Sequence, residues 1–232
     1  MHTIFHQSIQ NNWTKPEQIL SPKTLVIGSF NPYNAIGEKV DYYYGRSGNY
    51  FWKRIAIIIG FEENYFFDPV NGFKRKLSIM NNKFCCLDVI NSIEFSGSDD
   101  NLIKNYVDDH IFKKFSDDKV FTRKVLKGTI NLAKGFNKEI LTTLNNTNTI
   151  KKVIHTMGNT RIPSPLLAKP FEKKLAQNGF GGFIAEIHKT CSSNNIEFVN
   201  ESLSPSAYAV RNGATSIPKL DTWLSQHLNL VP

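Results

Sequence analysis

Long apolar runs are missing. No 18-residue stretch is apolar enough to form a membrane-spanning helix, so no membrane partner is expected. Cysteine is scarce: three in 232 residues cannot build a disulfide framework or a four-thiolate metal cluster. Cys85 and Cys86 are adjacent inside an apolar run, which suits buried, reduced thiols in a cytoplasmic protein. The six histidines show no ligand spacing, so no metal site is expected. The stretch MHTIFHQSIQNNW lacks a basic region leading into an apolar block, so no signal peptide is expected. Negative charge is the minority sign, with 20 Asp and Glu against 28 Lys and Arg and a net charge of +8. Such an excess suits a polyanionic partner, because each cation that meets a phosphate releases condensed counterions. Ordinary solubility charge would give the same count.

What is present reads as α/β. Four short apolar runs look like buried strands: TLVIG (24–28), FCCLDVI (84–90), KKVIHTM (151–157) and IEFV (196–199). Helical periodicity covers 49–60, with Gly60 as a stop, and 135–146, 166–177 and 216–229, the last with Pro218 in its first turn. Strands alternating with helices imply a mostly parallel four-stranded sheet covered on both faces, an α/β/α sandwich. No repeat is visible and no linker divides the chain, so a single domain over 1–232 is expected. Segment 91–130, polar and strongly charged, reads as loops and short helices. In parallel sheets the ligand sits at the carboxyl ends of the strands, so the loops after Gly28, Ile90, Met157 and Val199 are where chemistry belongs.

Three of those loops carry unusual residues. GSFNPYN (28–34) turns sharply off a strand and presents the Asn31 amide beside Pro32. It leads into DYYYGRSGNYFWKRI (41–55), where aromatics and cations surround a Gly-Arg-Ser-Gly turn. Phe51 and Trp52 have the spacing of a core helix, whereas Tyr42, Tyr43 and Tyr44 fall in a loop where burial is hard to arrange. A tyrosine platform beside a cationic loop suits a stacked base. DVINSIEFSGS (88–98) follows the second strand, and NESLSPSAYAVRNG (200–213) follows the fourth. In the latter, Ser202, Ser204, Pro205 and Ser206 form a hydroxyl-rich turn around one apolar residue, Leu203, and Arg211 can pin a phosphate. Plain turn chemistry accounts for each loop taken alone. Lys53, Arg54, Lys74, Arg75 and Lys76 read as a solvated helix face before a DNA-facing stripe, and His155 and Cys191 as buried residues.

These motifs resemble, in order, those of the uracil-DNA glycosylase superfamily, over about residues 24–228. LVIGSFNP looks like the first motif of the mismatch-specific uracil/thymine branch. YYYGRSGNYFW is similar to the pattern in which a base-stacking aromatic precedes Asn-x-Phe-Trp by five residues, which places Tyr44 and Asn49 on those positions. CCLDVINSIEFSGSDDNLIKN and SLSPSAYA resemble the hypoxanthine-DNA glycosylase branch. The resemblance implies hydrolysis of the base–deoxyribose bond of uracil or hypoxanthine in DNA, after the nucleotide is rotated out of the duplex. It implies Asn31 as the water-positioning residue, with Asn49 the second choice for an essential amide. A donor from the Phe30–Asn31 backbone would face the base, and Tyr44 would stack on it. Leu203 would act as the wedge, with Ser202, Ser204, Pro205, Ser206 and Arg211 along the DNA. Asp88 falls where a base-reading asparagine is usual. Ionised, it could take the imide N–H of the base but would oppose charge growing on the ring. It is therefore either held protonated by burial or structural, satisfying backbone N–H groups, with Asn91 then sharing the reading.

An asparagine cannot act as a base, and no histidine stands in the last motif, so turnover should be slow. No lysine stands in the motifs to form a Schiff base, so the enzyme is expected to be monofunctional. It would need no cofactor and act as a monomer. Two alternatives stay open: a DNA- or damage-binding module without catalysis, and a hydrolase or binder of small nucleotides.

Overall fold

The computed structural model describes residues 2–31, 40–107, 130–157 and 180–230. Along the chain run β1 (His2–Phe5), α1 (Gln7–Gln10), β2 (Thr24–Gly28), α2 (Phe51–Ile58), α3 (Gly72–Met80), β3 (Phe84–Asp88), β4 (Ile90–Gly97) and α4 (Asp100–Val107). They are followed by β5 (Ile130–Phe136), α5 (Glu139–Asn146), β6 (Lys152–His155), α6 (Phe180–Ser193), β7 (Glu197–Phe198), α7 (Ala207–Arg211) and α8 (Ile217–Leu228).

The expected parallel sheet is there, ordered β3-β2-β6-β7 with every neighbouring pair parallel. All residues of β2 and β3 are buried, as two-sided coverage requires of apolar, β-branched runs. The chain leaves β2 toward β3 on one side, then crosses back over β2 to reach β6 on the other. The point where the order reverses therefore lies between the carboxyl ends of β2 and β6. A crevice opens there in sheets of this kind.

Helix α2 forms where periodicity places it. Gly60, at φ 84°, ends it as only glycine does cheaply, with Gly60 N–H on the Ile57 carbonyl and Phe61 N–H on the Ala56 carbonyl. Phe51, Trp52, Ile55 and Ala56 are wholly buried. Helix α8 begins at the Ser216 cap with a proline in its first turn. It is fastened to α2 by a two-pronged pair, Arg54 Nε and Nη2 each 2.8 Å from an Asp221 carboxylate oxygen.

Several expectations fail. The run FCCLDVI is not one strand: β3 ends at Asp88, and Ile90 opens β4 in a second sheet, antiparallel and ordered β1-β4-β5. Segment 91–130 is thus partly strand, not only loops and short helices. The register slips between Ile90 and Ser92, leaving Asn91 as an extra residue opposite β5. Residues 135 and 136 close β5, so the helix expected from 135 starts at Glu139. Tyr42 and Tyr43 are in the core, not on the surface. Trp13 packs against both rings, and the Trp52 indole N–H donates to the Tyr43 carbonyl at 2.7 Å, folding the loop back onto α2. Lys76 is no solvated residue either; it is buried on Asp41, over the faces of Trp52 and Phe67. The helix expected at 166–177, like Pro32, lies outside the described residues.

No helix among the described residues is long and apolar enough to cross a membrane. Nor do those residues gather three His, Cys, Asp or Glu side chains that could hold a metal ion.

Candidate active site

The site is assembled at the carboxyl ends of β2, β3 and β6. Gly28 ends β2 and is paired with Asp88, the last residue of β3. A Cβ on Gly28 would overlap Asp88 Oδ1 and come within 2.8 Å of the Tyr44 hydroxyl. The absence of a side chain is what lets a carboxylate and a phenol share that space. The Tyr44 hydroxyl also lies 3.0 Å from Thr156 Oγ1, just past β6, so it spans the point where strand order reverses.

Tyr44 is held there against backbone preference. At φ 59° it is in the left-handed region, which costs a non-glycine residue about 1–2 kcal/mol. Its ring stacks on Phe51 at 4.3 Å, and its hydroxyl bond to Thr156 pins the far end. Burial, followed by the charge of Asp88, pushes the phenol well above its ordinary range, so it stays a neutral hydroxyl.

Asn31 has both ends of its amide engaged. Its Nδ2 donates to Gln7 Oε1 at 3.2 Å, and its Oδ1 accepts from Arg46 Nε at 3.2 Å. Arg46 stands two residues beyond Tyr44, so the loop after β2 and the tyrosine loop meet. An amide oxygen has a second lone pair, which takes no hydrogen bond among the described residues. Phe30 is buried, its ring 5.8 Å from that of His6.

Asp88 was expected, in a structural role, to take backbone N–H groups, and among the described residues none donates to its carboxylate. Its Oδ2 accepts from His6 Nε2 at 2.7 Å, and both residues are buried. Asn91, the bulged residue, turns its amide 3.2 Å from Asn137 Oδ1, and its carbonyl accepts the His6 N–H. It braces the joint between the two sheets. Asn49 Oδ1 accepts the Phe51 N–H at 2.9 Å, so this amide caps the start of α2.

The last loop reaches the same end of the sheet. Ser202 is buried with its hydroxyl donating to the His155 carbonyl. Leu203 is half-buried against the core. Pro205 is buried and its carbonyl accepts the Tyr50 N–H at 2.8 Å, docking the loop on the start of α2. Ser204 meets Ser206, whose hydroxyl caps α7 by accepting the Ala209 N–H. Arg211 is exposed, its Nε on the Ala207 carbonyl. Tyr208, on α7, is 76% exposed beside the loop.

His6 and Gln7 escaped sequence reasoning. His6 caps α1 and Gln7 opens it, far along the chain from Asp88 and Asn31, and no spacing marks them. The one trace is the polar His-Gln-Ser that closes the His-Thr-Ile-Phe run.

Comparison with protein-family models, with curated proteins and with solved structures finds no match for this chain.

Proposed function

We propose that the chain is a monofunctional DNA glycosylase that hydrolyses the N-glycosidic bond of a deaminated base, uracil or hypoxanthine, in DNA. Its frame would be the three-layer α/β/α sandwich of the uracil-DNA glycosylase superfamily. The observation that carries the reading is that Asp88 Oδ1 and the Tyr44 hydroxyl, from separate segments, share the space over Gly28, with Tyr44 reaching Thr156 past β6 and Asn31 joined to the tyrosine loop through Arg46. The net charge of +8 supports a polyanionic partner, and three buried free thiols support a reducing cytoplasmic setting.

In this reading a water held on Asn31 Oδ1 attacks the anomeric carbon. The C–N bonding pair departs with the base, and the proton of the water ends on the leaving base. Positive charge grows on the sugar and negative charge on the base, so donors near the base and a positioned water lower the barrier. Asn31 only positions the water, and turnover is correspondingly slow. Tyr44 offers ring surface and a neutral hydroxyl at the edge of the base, and Arg46 brings a cation to the same loop.

Labelled duplexes with a single uracil or hypoxanthine, treated with hot alkali after incubation, test the proposal. Strand breaks at the lesion are expected, and Asn31→Ala is expected to remove them. No break with either base at large enzyme excess would sink it. A second reading is favoured by the occupied ends of the Asn31 amide: a damage-binding module of the same frame. Tight lesion binding with no released base would select it.

A further inference from the structure

We propose that His6 is a positioning residue that decides which edge of a base the site accepts, an inference that rests on the glycosylase reading. The ring has one tautomer open to it. Its Nδ1 lies 2.7 Å from Ser8 Oγ, a hydroxyl able to donate, and 3.0 Å from the Ser8 backbone N–H, which can only donate, so Nδ1 keeps its lone pair and the proton sits on Nε2. Nε2–H then donates to Asp88 Oδ2 at 2.7 Å. The imidazole cannot swing away. Tyr43 stacks on it at 5.5 Å, Trp13 meets it edge-on at 5.7 Å, and it is 1% exposed.

The carboxylate is thereby fixed in direction. Oδ2 is occupied, and Oδ1 projects into the space above Gly28 beside the Tyr44 hydroxyl, with no hydrogen-bond partner among the described residues. With the proton of the pair on Nε2, Oδ1 is an acceptor only. It favours a ligand N–H and repels a ring lone pair. Uracil and hypoxanthine carry a ring N–H where cytosine and adenine carry a lone pair. The pair therefore selects the lactam N–H that deamination creates, and His6 keeps Asp88 turned toward it. Without His6, Oδ2 would be buried with no donor and the carboxylate free to rotate.

The test uses the full chain labelled with nitrogen-15 and carbon-13. Nuclear magnetic resonance should find His6 Nδ1 bare and Nε2 protonated. Free uracil and free hypoxanthine at millimolar concentration should shift the His6 Nε2 and Asp88 carboxyl signals, while cytosine and adenine leave them in place. In single-turnover assays His6→Phe should slow base release about 10- to 100-fold and narrow the preference for a lesion duplex over an undamaged one. His6→Gln, whose amide carries a donor at about the height of Nε2, should recover most of the rate. Base-dependent shifts in a protein that releases no base would remove the catalytic reading and leave this one standing. Equal shifts with uracil and cytosine, no shift with any base, or a folded His6→Gln as slow as His6→Phe would overturn it and spare the glycosylase. If His6→Phe does not fold, the wild-type titration and His6→Gln still decide.

Discussion

Gly28 is the residue on which the site is most finely balanced. A methyl group there would occupy the position of Asp88 Oδ1, and the carboxylate cannot yield, because His6 holds its other oxygen. Gly28→Ala should lower stability by about 1–3 kcal/mol and abolish base release, as thermal melts and the lesion assay would record. His155, at the end of β6, makes a different kind of prediction. It is wholly buried, its Nε2 faces the Asn200 carbonyl, and its Nδ1 has no partner among the described residues. A second ring proton would thus be buried without an acceptor. Burial pulls the imidazole down from 6.5 to about 4. The unfolded chain takes that proton first as pH falls, so the native state loses up to about 3 kcal/mol between pH 6.5 and about 4. Denaturant midpoints across that window should decline, and His155→Gln should flatten the decline.

Among the elements, α2 and α8 depend on one another. Asp221→Ala would leave the half-buried Arg54 guanidinium with Glu63, at 3.3 Å, as its one acidic partner among the described residues, and should cost about 1–2 kcal/mol, measurable as a lower urea midpoint. Both helices were legible in the sequence, because periodicity and their stop and start residues, Gly60, Ser216 and Pro218, agree. Strand β4 was not. Its buried residues Ile90, Ile93 and Phe95 fall out of step because the bulge at Asn91 interrupts the two-residue alternation. Tyr42 and Tyr43 misled for a related reason. Local pattern shows a loop, and its cover comes from residues the local pattern does not reach, Trp13 and His6 well before it and Phe73 well after it.

At the scale of the whole molecule, burial of neutral acids sets an alkaline limit. Burial pushes Tyr42, Tyr43 and Tyr44 well above 10.0 and lifts Cys85 and Cys86 above 9.0. The unfolded chain sheds these protons first, so the native state binds more of them. Stability is whole below about pH 9 and falls as pH rises beyond it. Tyrosinate absorbance should therefore appear together with unfolding and not before it. The net charge of +8 makes a further prediction: duplex affinity should fall linearly in log–log terms with salt, whereas a binder of small nucleotides would show little slope. Salt titration by fluorescence anisotropy separates the two. The strand ends that frame the site were readable, since apolar runs and their loops are local features. The props beneath Asp88 and Asn31 were not, since they follow β1, a strand of the other sheet.

Those props are consecutive residues, His6 and Gln7, directly after an edge strand that zips onto β4. Deleting the stretch that carries β1, His6 and Gln7 would unseat carboxylate and amide together. Any assay of the site on a protein so shortened would report on the deletion and not on the intact chain.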